Sequence, residues 1–426
     1  MKKALLTCIS AMMALPLFAQ YDGPGFYRIK NKGEAGRYIS IENDKVSEES
    51  KKISFSSGKS VSASVEALKT VRNKDYNPGT IIYVTGDTNG LTLEAQGMNT
   101  DKLLQKFGYS GYQLKANNRG ELYTTYSGMQ IDLIDFGYDY PIKKEAFCAV
   151  ATLNFISTNA IKSYALWELK KIDNEDEFFG IYPSEDIKIG NKYYTTLFTT
   201  FAYQLPNGMK AYYIDQHNYN KSLPEPIAEL KEITDGKIPA ATPVIIECSS
   251  NNAANNKVTL LDSNLNSISG NELKGRVFCF IPTELEDQNM KNALAFNKNT
   301  MRVLGLVDIK RNDRGEIIDG KLALVDDAND NYQNSLALNK GYIPANKAYL
   351  PINSSDATAT AKGIRLLLPD EYAIASSINQ VMSEEHPAKD GIYTLTGMKI
   401  KEINSMSTEN LPKGIYIIGG KKHIVK

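Results

Sequence analysis

The stretch Gly25–Asn31, which reads Gly-Phe-Tyr-Arg-Ile-Lys-Asn, decides the fold of the N-terminal part of this chain. Apolar and polar side chains alternate along it, which is the period of a half-buried β-strand. Arg37–Ile41 repeats the alternation after a glycine-containing turn. Thr80–Thr85 is a β-branched run, and Leu91–Leu93 follows it across an Asn-Gly dipeptide that favours a tight hairpin turn. Short strands broken by Gly, Asn and Asp turns predict a mainly β protein.

An aromatic-x-aliphatic-Lys motif recurs in the first part of the chain, at Tyr27–Lys30, Tyr112–Lys115 and Trp167–Lys170. In a strand, this pattern places the aromatic and the aliphatic side chain on one face and the polar residues on the other. Recurrence of one short strand indicates a pseudo-symmetric β fold. Residues 20–172 therefore resemble a β-trefoil, and the unequal spacing of the motif indicates insertions.

One of these insertions has the spacing of a helix. In Ser60–Val71 (S-V-S-A-S-V-E-A-L-K-T-V) the larger apolar residues fall three and four positions apart, at Val61, Val65, Leu68 and Val71. We therefore predict a trefoil-like N-terminal domain with a helical insertion.

A second β-rich region follows an acidic break at residues 173–177 (D-N-E-D-E), which is typical of a linker. Lys192–Tyr203 is rich in aromatic and Thr residues, a strong strand signal. Gly236–Ile246 and Gly341–Leu350 share the pattern G-x-I-P-A followed by an apolar run, in which Pro suits a strand entrance or edge. We interpret these repeats as equivalent strands of one central β-sandwich, residues 178–352.

Two shorter segments complete the chain. Residues 353–389 are rich in Ser, Thr and Ala and are predicted to form a linker containing a strand at Ile364–Leu368. Residues 390–426 have the pattern of a compact β module. Within it, Gly391–Gly397 is a strand between glycines, and Leu411–Lys426 is a hairpin with a Gly-Gly turn. We expect a small, sandwich-like C-terminal module there.

The C-terminal module resembles the sorting domain at the end of Bacteroidota type IX secretion substrates. The resemblance rests on residues 391–400 (G-I-Y-T-L-T-G-M-K-I) and on residues 411–426, and it implies an export address without catalytic activity. The strands at 192–198 and 343–350, together with the opening strand, are similar to modules of secreted Bacteroidota proteins. That second resemblance implies a lineage and a compartment but no reaction.

The N-terminus has the pattern of a secretory signal peptide, residues 1–19. Met1–Lys3 is a short basic start, Ala4–Phe18 is an apolar run, and Ala19 is a small residue at the expected cleavage point. The run is shorter than the ~20 residues needed to span a bilayer and contains Pro16. We expect no transmembrane segment in the mature chain. We also expect an exported protein, extracellular or on the outer cell surface, with the periplasm as the alternative.

Charge and cysteine content exclude some classes of protein. The chain has 49 Lys and Arg against 49 Asp and Glu, and a neutral balance argues against a nucleic-acid partner.

The mature chain keeps Cys148, Cys248 and Cys279. An odd number allows at most one internal bridge. Two alternatives stay open: buried, reduced thiols, or a Cys248–Cys279 cross-strand bridge.

The chain contains few residues with the spacing of a catalytic or metal site. It has none of the zinc-protease, C-x-x-C, dinucleotide-binding or P-loop signatures. His217 near Asp215 is typical of a solvated surface pair, and Asp327–Asn331 lacks the glycine and glutamate that complete a calcium loop. We predict no catalytic, cofactor or metal residues. No single tyrosine among the 25 stands out as a ligand-binding residue.

These observations predict a secreted or surface-attached binding or adhesion protein without enzymatic activity, whose partner is a glycan or a host or cell-surface protein. A tyrosine-rich β surface suits binding because tyrosine offers a flat apolar face with a polar tip. Two alternatives stay open. One is a structural component of the cell surface without a small ligand. The other is a hydrolase of glycans or peptides that uses two facing carboxylates.

Overall fold

A computed structural model provides the fold. It describes residues 21–32, 37–41, 49–54, 60–72, 74–87, 90–95, 115–116, 122–126, 129–135, 147–151, 167–183, 187–220, 226–263, 265–277, 294–326, 341–353, 363–383, 391–394, 397–402, 411–418 and 421–425. The predicted signal peptide, residues 1–19, lies outside this range. The protein is mainly β, as the alternating sequence predicts. Within the described residues, no helix has both the length and the apolar character needed to cross a bilayer.

The N-terminal part forms one curled sheet. Its strands are β1 Gly25–Asn31, β2 Tyr38–Ile41, β3 Glu49–Ser54, β4 Ser60–Val71, β5 Ile82–Asp87, β6 Gly90–Ala95, β7 Lys115–Ala116, β8 Leu122–Tyr126, β9 Met129–Asp135, β10 Phe147–Ala151 and β11 Trp167–Lys171. The order is β6-β5-β1-β2-β4-β10-β9-β8-β7, with β11 also on β1 and β3 also on β4. Strand β1 pairs with three strands, β2, β5 and β11.

Two copies of the aromatic-x-aliphatic-Lys motif are direct neighbours. In the antiparallel β1–β11 ladder, Ile29 lies opposite Leu169 and Asn31 lies opposite Trp167. These side chains share one face of the sheet and are buried, as the period-two pattern predicts. Tyr112 of the third copy lies outside the described residues. The trefoil arrangement stays a prediction.

The predicted helical insertion is wrong, because Ser60–Val71 forms strand β4. This strand pairs antiparallel with β2, β3 and β10. A separation of four residues, as between Val61 and Val65, fits both a helix and a strand. The Ser-x-Ser-x alternation at the start of the segment and its valines fit only the strand. The neighbouring strands then supply the backbone hydrogen bonds that an isolated helix would make internally.

Arg28, in the middle of β1, is fully buried and holds the N-terminal sheet to the next part of the chain. Its Nη1 donates to Glu177 Oε2 (3.1 Å), its Nε to Thr80 Oγ1 (3.0 Å), and its Nη2 to the Lys74 carbonyl (3.0 Å). The Glu177 carboxylate also accepts hydrogen bonds from Tyr38 Oη and Lys74 Nζ. A buried ion pair of this kind is tolerated because nearly every donor and acceptor is satisfied.

Residues 173–177, whose composition predicts a linker, form a closed turn instead. The Asp173 carboxylate accepts hydrogen bonds from the backbone N–H groups of Glu175 (2.9 Å) and Glu177 (3.3 Å). These bonds lower the pKa of Asp173, since they stabilise the charged form. The turn presents Glu177 to Arg28, so an acidic run in the sequence serves one buried ion pair.

The described residues of the central part form sixteen strands and one α-helix. They are β12 Phe179–Gly180, β13 Lys188–Ile189, β14 Lys192–Leu197, β15 Ala202–Gln204, β16 Lys210–Asn220, β17 Ile227–Glu232, β18 Lys237–Ile238, β19 Val244–Cys248, β20 Lys257–Leu261, β21 Lys274–Arg276, β22 Leu294–Ala295, β23 Met301–Arg311, β24 Ile317–Val325, β25 Tyr342–Ile343, β26 Lys347–Pro351, β27 Gly363–Leu367 and α1 Pro369–Ser383.

Ten of these strands form a sheet in the order β13-β14-β19-β16-β17-β27-β24-β23-β26-β21, and β12-β20-β15-β18 form a second sheet. Strands β22 and β25 pair separately. Buried residues of the four-stranded sheet, such as Phe179, Tyr203 and Val258, share one hydrophobic core with Leu197 and Ile246 of the ten-stranded sheet. Burial of this apolar surface is the main stabilising term. The sandwich arrangement of the whole region stays a prediction.

The G-x-I-P-A repeat has the same local structure in both copies. Each copy is a two-residue strand, a turn and a five-residue strand, namely β18–β19 and β25–β26. The leading glycines have positive φ (Gly236 64°, Gly341 81°), and so does the fifth residue after each glycine (Ala241 54°, Asn346 58°). The sequence repeat is therefore a repeat of backbone conformation.

Residues 353–389 contribute to the central sheet. The predicted strand is present as β27, which pairs parallel with β17 and antiparallel with β24. Helix α1 follows it at Pro369–Ser383. The part of the expected linker from Gly363 to Ser383 is therefore regular structure, and β27 lies inside the ten-stranded sheet.

The C-terminal residues form a separate sheet. Its strands are β28 Gly391–Thr394, β29 Lys399–Glu402, β30 Gly414–Ile418 and β31 Lys421–Val425, in the order β29-β28-β30-β31. Ile392, Tyr416 and Ile418 form its small core.

The described cysteine side chain is a buried, free thiol. Cys248 lies at the end of β19, where burial raises its pKa to about 12. This agrees with the first alternative, buried reduced thiols. Cys148 lies in β10, but its side chain is outside the described part of the chain, and so is Cys279.

Replacement of Glu177 by Gln tests the buried ion pair. We expect Glu177→Gln to destabilise the N-terminal sheet by about 3 kcal/mol, because it leaves the Arg28 charge buried without its partner. The single tryptophan, Trp167, is buried beside Asn31 of β1, so its fluorescence during urea unfolding reports on this sheet.

The matched control is Lys171→Met. It removes an ion pair with Asp22 whose side chains are 44% and 76% exposed, and we expect less than about 1 kcal/mol. Equal shifts for both variants would contradict the assignment of Arg28–Glu177 as the interaction that holds the sheet.

Replacement of Ala241 by Gly tests the repeated turn. Alanine with positive φ is strained by its Cβ, so we expect Ala241→Gly to stabilise the protein by about 0.5 kcal/mol. Ala240→Gly, at the exposed neighbour without positive φ, should destabilise it by a similar amount through unfolded-chain entropy. Urea unfolding followed by far-UV circular dichroism measures both. The same sign for the two variants would exclude this explanation.

Candidate ligand-binding cleft

A cleft of about 920 Å³ lies between the N-terminal sheet and the central part of the chain. Its N-terminal wall consists of residues 37, 71–72 and 76–78, and its central wall consists of residues 179–182, 195–197 and 345–347. The volume is within the range of small-molecule sites, roughly 300–1,000 Å³.

The two walls are joined at the base of the cleft by backbone contacts. The Gly180 N–H of β12 donates to the Asp75 carbonyl at 2.7 Å. A side chain at Gly180 would collide with the Ala253 carbonyl, which explains the glycine. Next to this contact, Asn77 shapes the N-terminal wall: its Oδ1 accepts from Gly79 N (2.8 Å) and its Nδ2 donates to Ser40 Oγ (3.1 Å). The Gly180–Asp75 hydrogen bond therefore joins the two walls directly.

One tyrosine from each wall stands at the rim. The rings of Tyr76 and Tyr182 are stacked, with centroids 4.9 Å apart and an interplanar angle of 29°. The two residues are 41% and 42% exposed, in contrast to the buried tyrosines of the core. The inner faces of the two rings cover each other, and the rest of their exposed surface is available to a ligand in the cleft.

The floor of the central wall is formed by β14 and the second repeat turn. Along residues 195–197, β14 pairs with β19 on one edge. On the other edge, Thr196 Oγ1 accepts a hydrogen bond from the backbone N–H of Ala348 (3.0 Å). Asn346 closes this turn, since Phe198 N donates to the Asn346 carbonyl and Asn346 Nδ2 donates to the Phe198 carbonyl, both at 2.9 Å. These hydrogen bonds fix the turn and therefore also the position of the next residue in the chain.

That residue is Lys347. Its Nζ donates to Thr195 Oγ1 at 2.6 Å, and among the described residues no carboxylate lies within ion-pair distance of it. The side chain lies deep in the protein but is partly accessible, because it lines the cleft. Burial lowers the pKa of Lys347 to about 8, an effect that Cys248 opposes. The ammonium is charged at neutral pH and close to its titration point.

Among the described residues, the charged side chains that line the cleft are all basic. They are Arg37, Arg72 and Lys347. Arg37 is buried and Arg72 is exposed. The cleft therefore combines an aromatic rim with positive charge and hydroxyl and amide groups, which are suited to binding an anionic or polar ligand.

The polar residues noted in the sequence lie elsewhere. His217 is in β16 and its side chain is outside the described part. Its neighbour Asp215 pairs with Lys231 (2.8 Å). Residues 327–331 are not described. In the part of the chain that the structure describes, no group of His, Cys, Asp and Glu side chains could hold a metal ion.

The sequence analysis missed Tyr76, Tyr182 and Lys347. The tyrosines meet only through the tertiary structure. Lys347 has a sequence signal, because it is the sixth residue after Gly341 and occupies the repeat position that holds Thr242 in the first copy. The difference between Thr242 and Lys347 at this repeat position was the indication that the sequence offered for Lys347.

The fold and the cleft define a mainly β protein with a basic, tyrosine-rimmed cleft between two sheets. No protein family matches the chain, and no curated protein or solved structure is similar to it.

The titration of Lys347 should be visible in the pH dependence of stability. The folded pKa of about 8 is below the ordinary value of 10.5, so the unfolded state binds more protons between these two values. The free energy of unfolding of the wild type, measured by urea unfolding relative to Lys347→Met, should therefore rise from pH 8 to pH 10.

Lys210→Met provides the control for this measurement. Lys210 is paired with Glu232, which raises its pKa, so its contribution is lost as the pH rises through that higher value. A stability difference between wild type and Lys347→Met that does not change from pH 8 to pH 10 would contradict the lowered pKa.

Proposed function

We propose that this protein is an exported, non-enzymatic binding protein whose cleft takes a glycan. The observation that carries the proposal is the stacked, exposed pair Tyr76 and Tyr182 at the rim of the cleft. A tyrosine ring covers the apolar face of a sugar while its hydroxyl reaches the polar edge. Thr195, Thr196 and Asn77 also line the cleft.

The charges of the cleft favour binding over hydrolysis. Glycoside hydrolysis in its usual form needs two carboxyl groups on opposite sides of the scissile bond. The charged residues that line this cleft are Arg37, Arg72 and Lys347, which are basic. The hydrolase alternative therefore has less support than binding.

The proposal also includes the cellular location of the protein. The signal-peptide pattern of residues 1–19 and the resemblance of residues 390–426 to a type IX sorting domain support export to the cell surface or beyond. A host or cell-surface glycoprotein would present such a glycan to the cleft.

A glycan array probed with the purified full-length chain tests the function. We expect binding to one class of glycan, and we expect Tyr76→Ala and Tyr182→Ala each to weaken it about tenfold, which corresponds to about 1.4 kcal/mol of lost stacking.

Tyr342→Ala, a change in β25 outside the cleft, is the matched control and should bind like the wild type. Binding that is unaffected by either rim substitution would exclude the cleft as the glycan site. An array without any signal would exclude glycan binding and leave the structural role as the leading account.

A further inference from the structure

We propose that the glycan bound in this cleft is acidic, and that Lys347 and Arg72 receive its carboxylate or sulfate group. This inference rests on the proposed function, because it names the ligand class of the same cleft. It follows from three observations on the charged groups in and around the cleft.

The first observation is that three described carboxylates on the segments that form or flank the walls are already engaged. Asp75, which precedes the rim residue Tyr76, lies 3.7 Å from Lys74 Nζ. Glu177 accepts from Arg28, Tyr38 and Lys74. On β19, the strand that pairs with β14, Glu247 forms an ion pair with Lys192 (3.1 Å). The same carboxylate accepts hydrogen bonds from the hydroxyls of two tyrosines, Tyr194 (3.3 Å) and Tyr212 (3.2 Å). The positive charge of the cleft is therefore not neutralised by these side chains.

The second observation concerns the donors of Lys347. An ammonium group has three N–H donors, and one of them is used by Thr195 Oγ1. The remaining donors have no protein acceptor among the described residues. A partly buried ammonium group with unused donors would gain hydrogen bonds from an anionic group in the cleft.

The third observation is the position of Arg72 in the N-terminal wall, opposite the wall that holds Lys347. Arg72 is exposed, follows β4 directly, and has no ion pair among the described carboxylates. A guanidinium group binds carboxylate and sulfate oxygens with two parallel hydrogen bonds. An anionic sugar between the walls would thus meet a cation on each side, with the tyrosine rim beside it.

An array of matched oligosaccharides tests this inference with the full-length chain. Each sialylated, uronic-acid-containing or sulfated oligosaccharide is placed beside its neutral parent, so that the arms also distinguish carboxylate from sulfate. We expect the acidic member to bind at least about tenfold more tightly. Lys347→Met and Arg72→Gln should each remove most of that preference, and Arg72→Gln changes an exposed residue that is not needed for folding.

Lys171→Met, which removes an exposed lysine outside the cleft, is the matched control and should keep the preference. Equal binding of acidic and neutral members, weakened by Tyr76→Ala, would overturn the acidic ligand but keep the proposed function. A preference that survives both cleft substitutions would also overturn it. An array without any binding would overturn the proposed function and this inference together.

Discussion

The buried guanidinium of Arg28 is the constraint on which the rest of the structure depends. Its three nitrogens are bound by Glu177, Thr80 and the Lys74 carbonyl, so β1, the segment before β5 and the turn before β12 are fixed relative to each other. A buried charge allows little variation in this geometry, because any displacement leaves it without a partner. The same segments continue into both walls of the cleft, at Tyr76 in one wall and at Phe179 in the other.

The central wall depends on an internal repeat whose two copies share G-x-I-P-A and differ in the residues that follow. Both copies have positive φ at the leading glycine and at the fifth residue after it, Ala241 and Asn346. Only the second copy lines the cleft, and there Lys347 replaces the threonine of the first copy. The repeat thus supplies a rigid turn, and a single substitution places a cation on it. Rigid support of this kind lowers the entropic cost of binding a ligand.

Local sequence patterns predicted the structure correctly where they described one face of a single strand. The alternation in β1 and β11 was confirmed, because burial of a period-two face follows directly from strand geometry. The same reasoning was wrong for β4, because apolar residues four positions apart fit a helix as well as a strand. The segment is a strand because it pairs with a neighbouring strand on each edge. Within residues 173–177 the composition did not distinguish the buried Glu177, which pairs with Arg28, from its exposed neighbours Glu175 and Asp176.

The sequence by itself determined that this protein is mainly β, where most of its strands lie, and that its two G-x-I-P-A segments are equivalent, because strand periodicity and turn residues are local properties. Only the tertiary structure decided the cleft. Tyr76 and Tyr182 are 106 residues apart in the chain (182 − 76), and Thr195 and Lys347 are 152 apart (347 − 195). Contacts between residues so far apart in sequence arise when the sheets pack together. The sequence has no periodic pattern that marks the residues in contact.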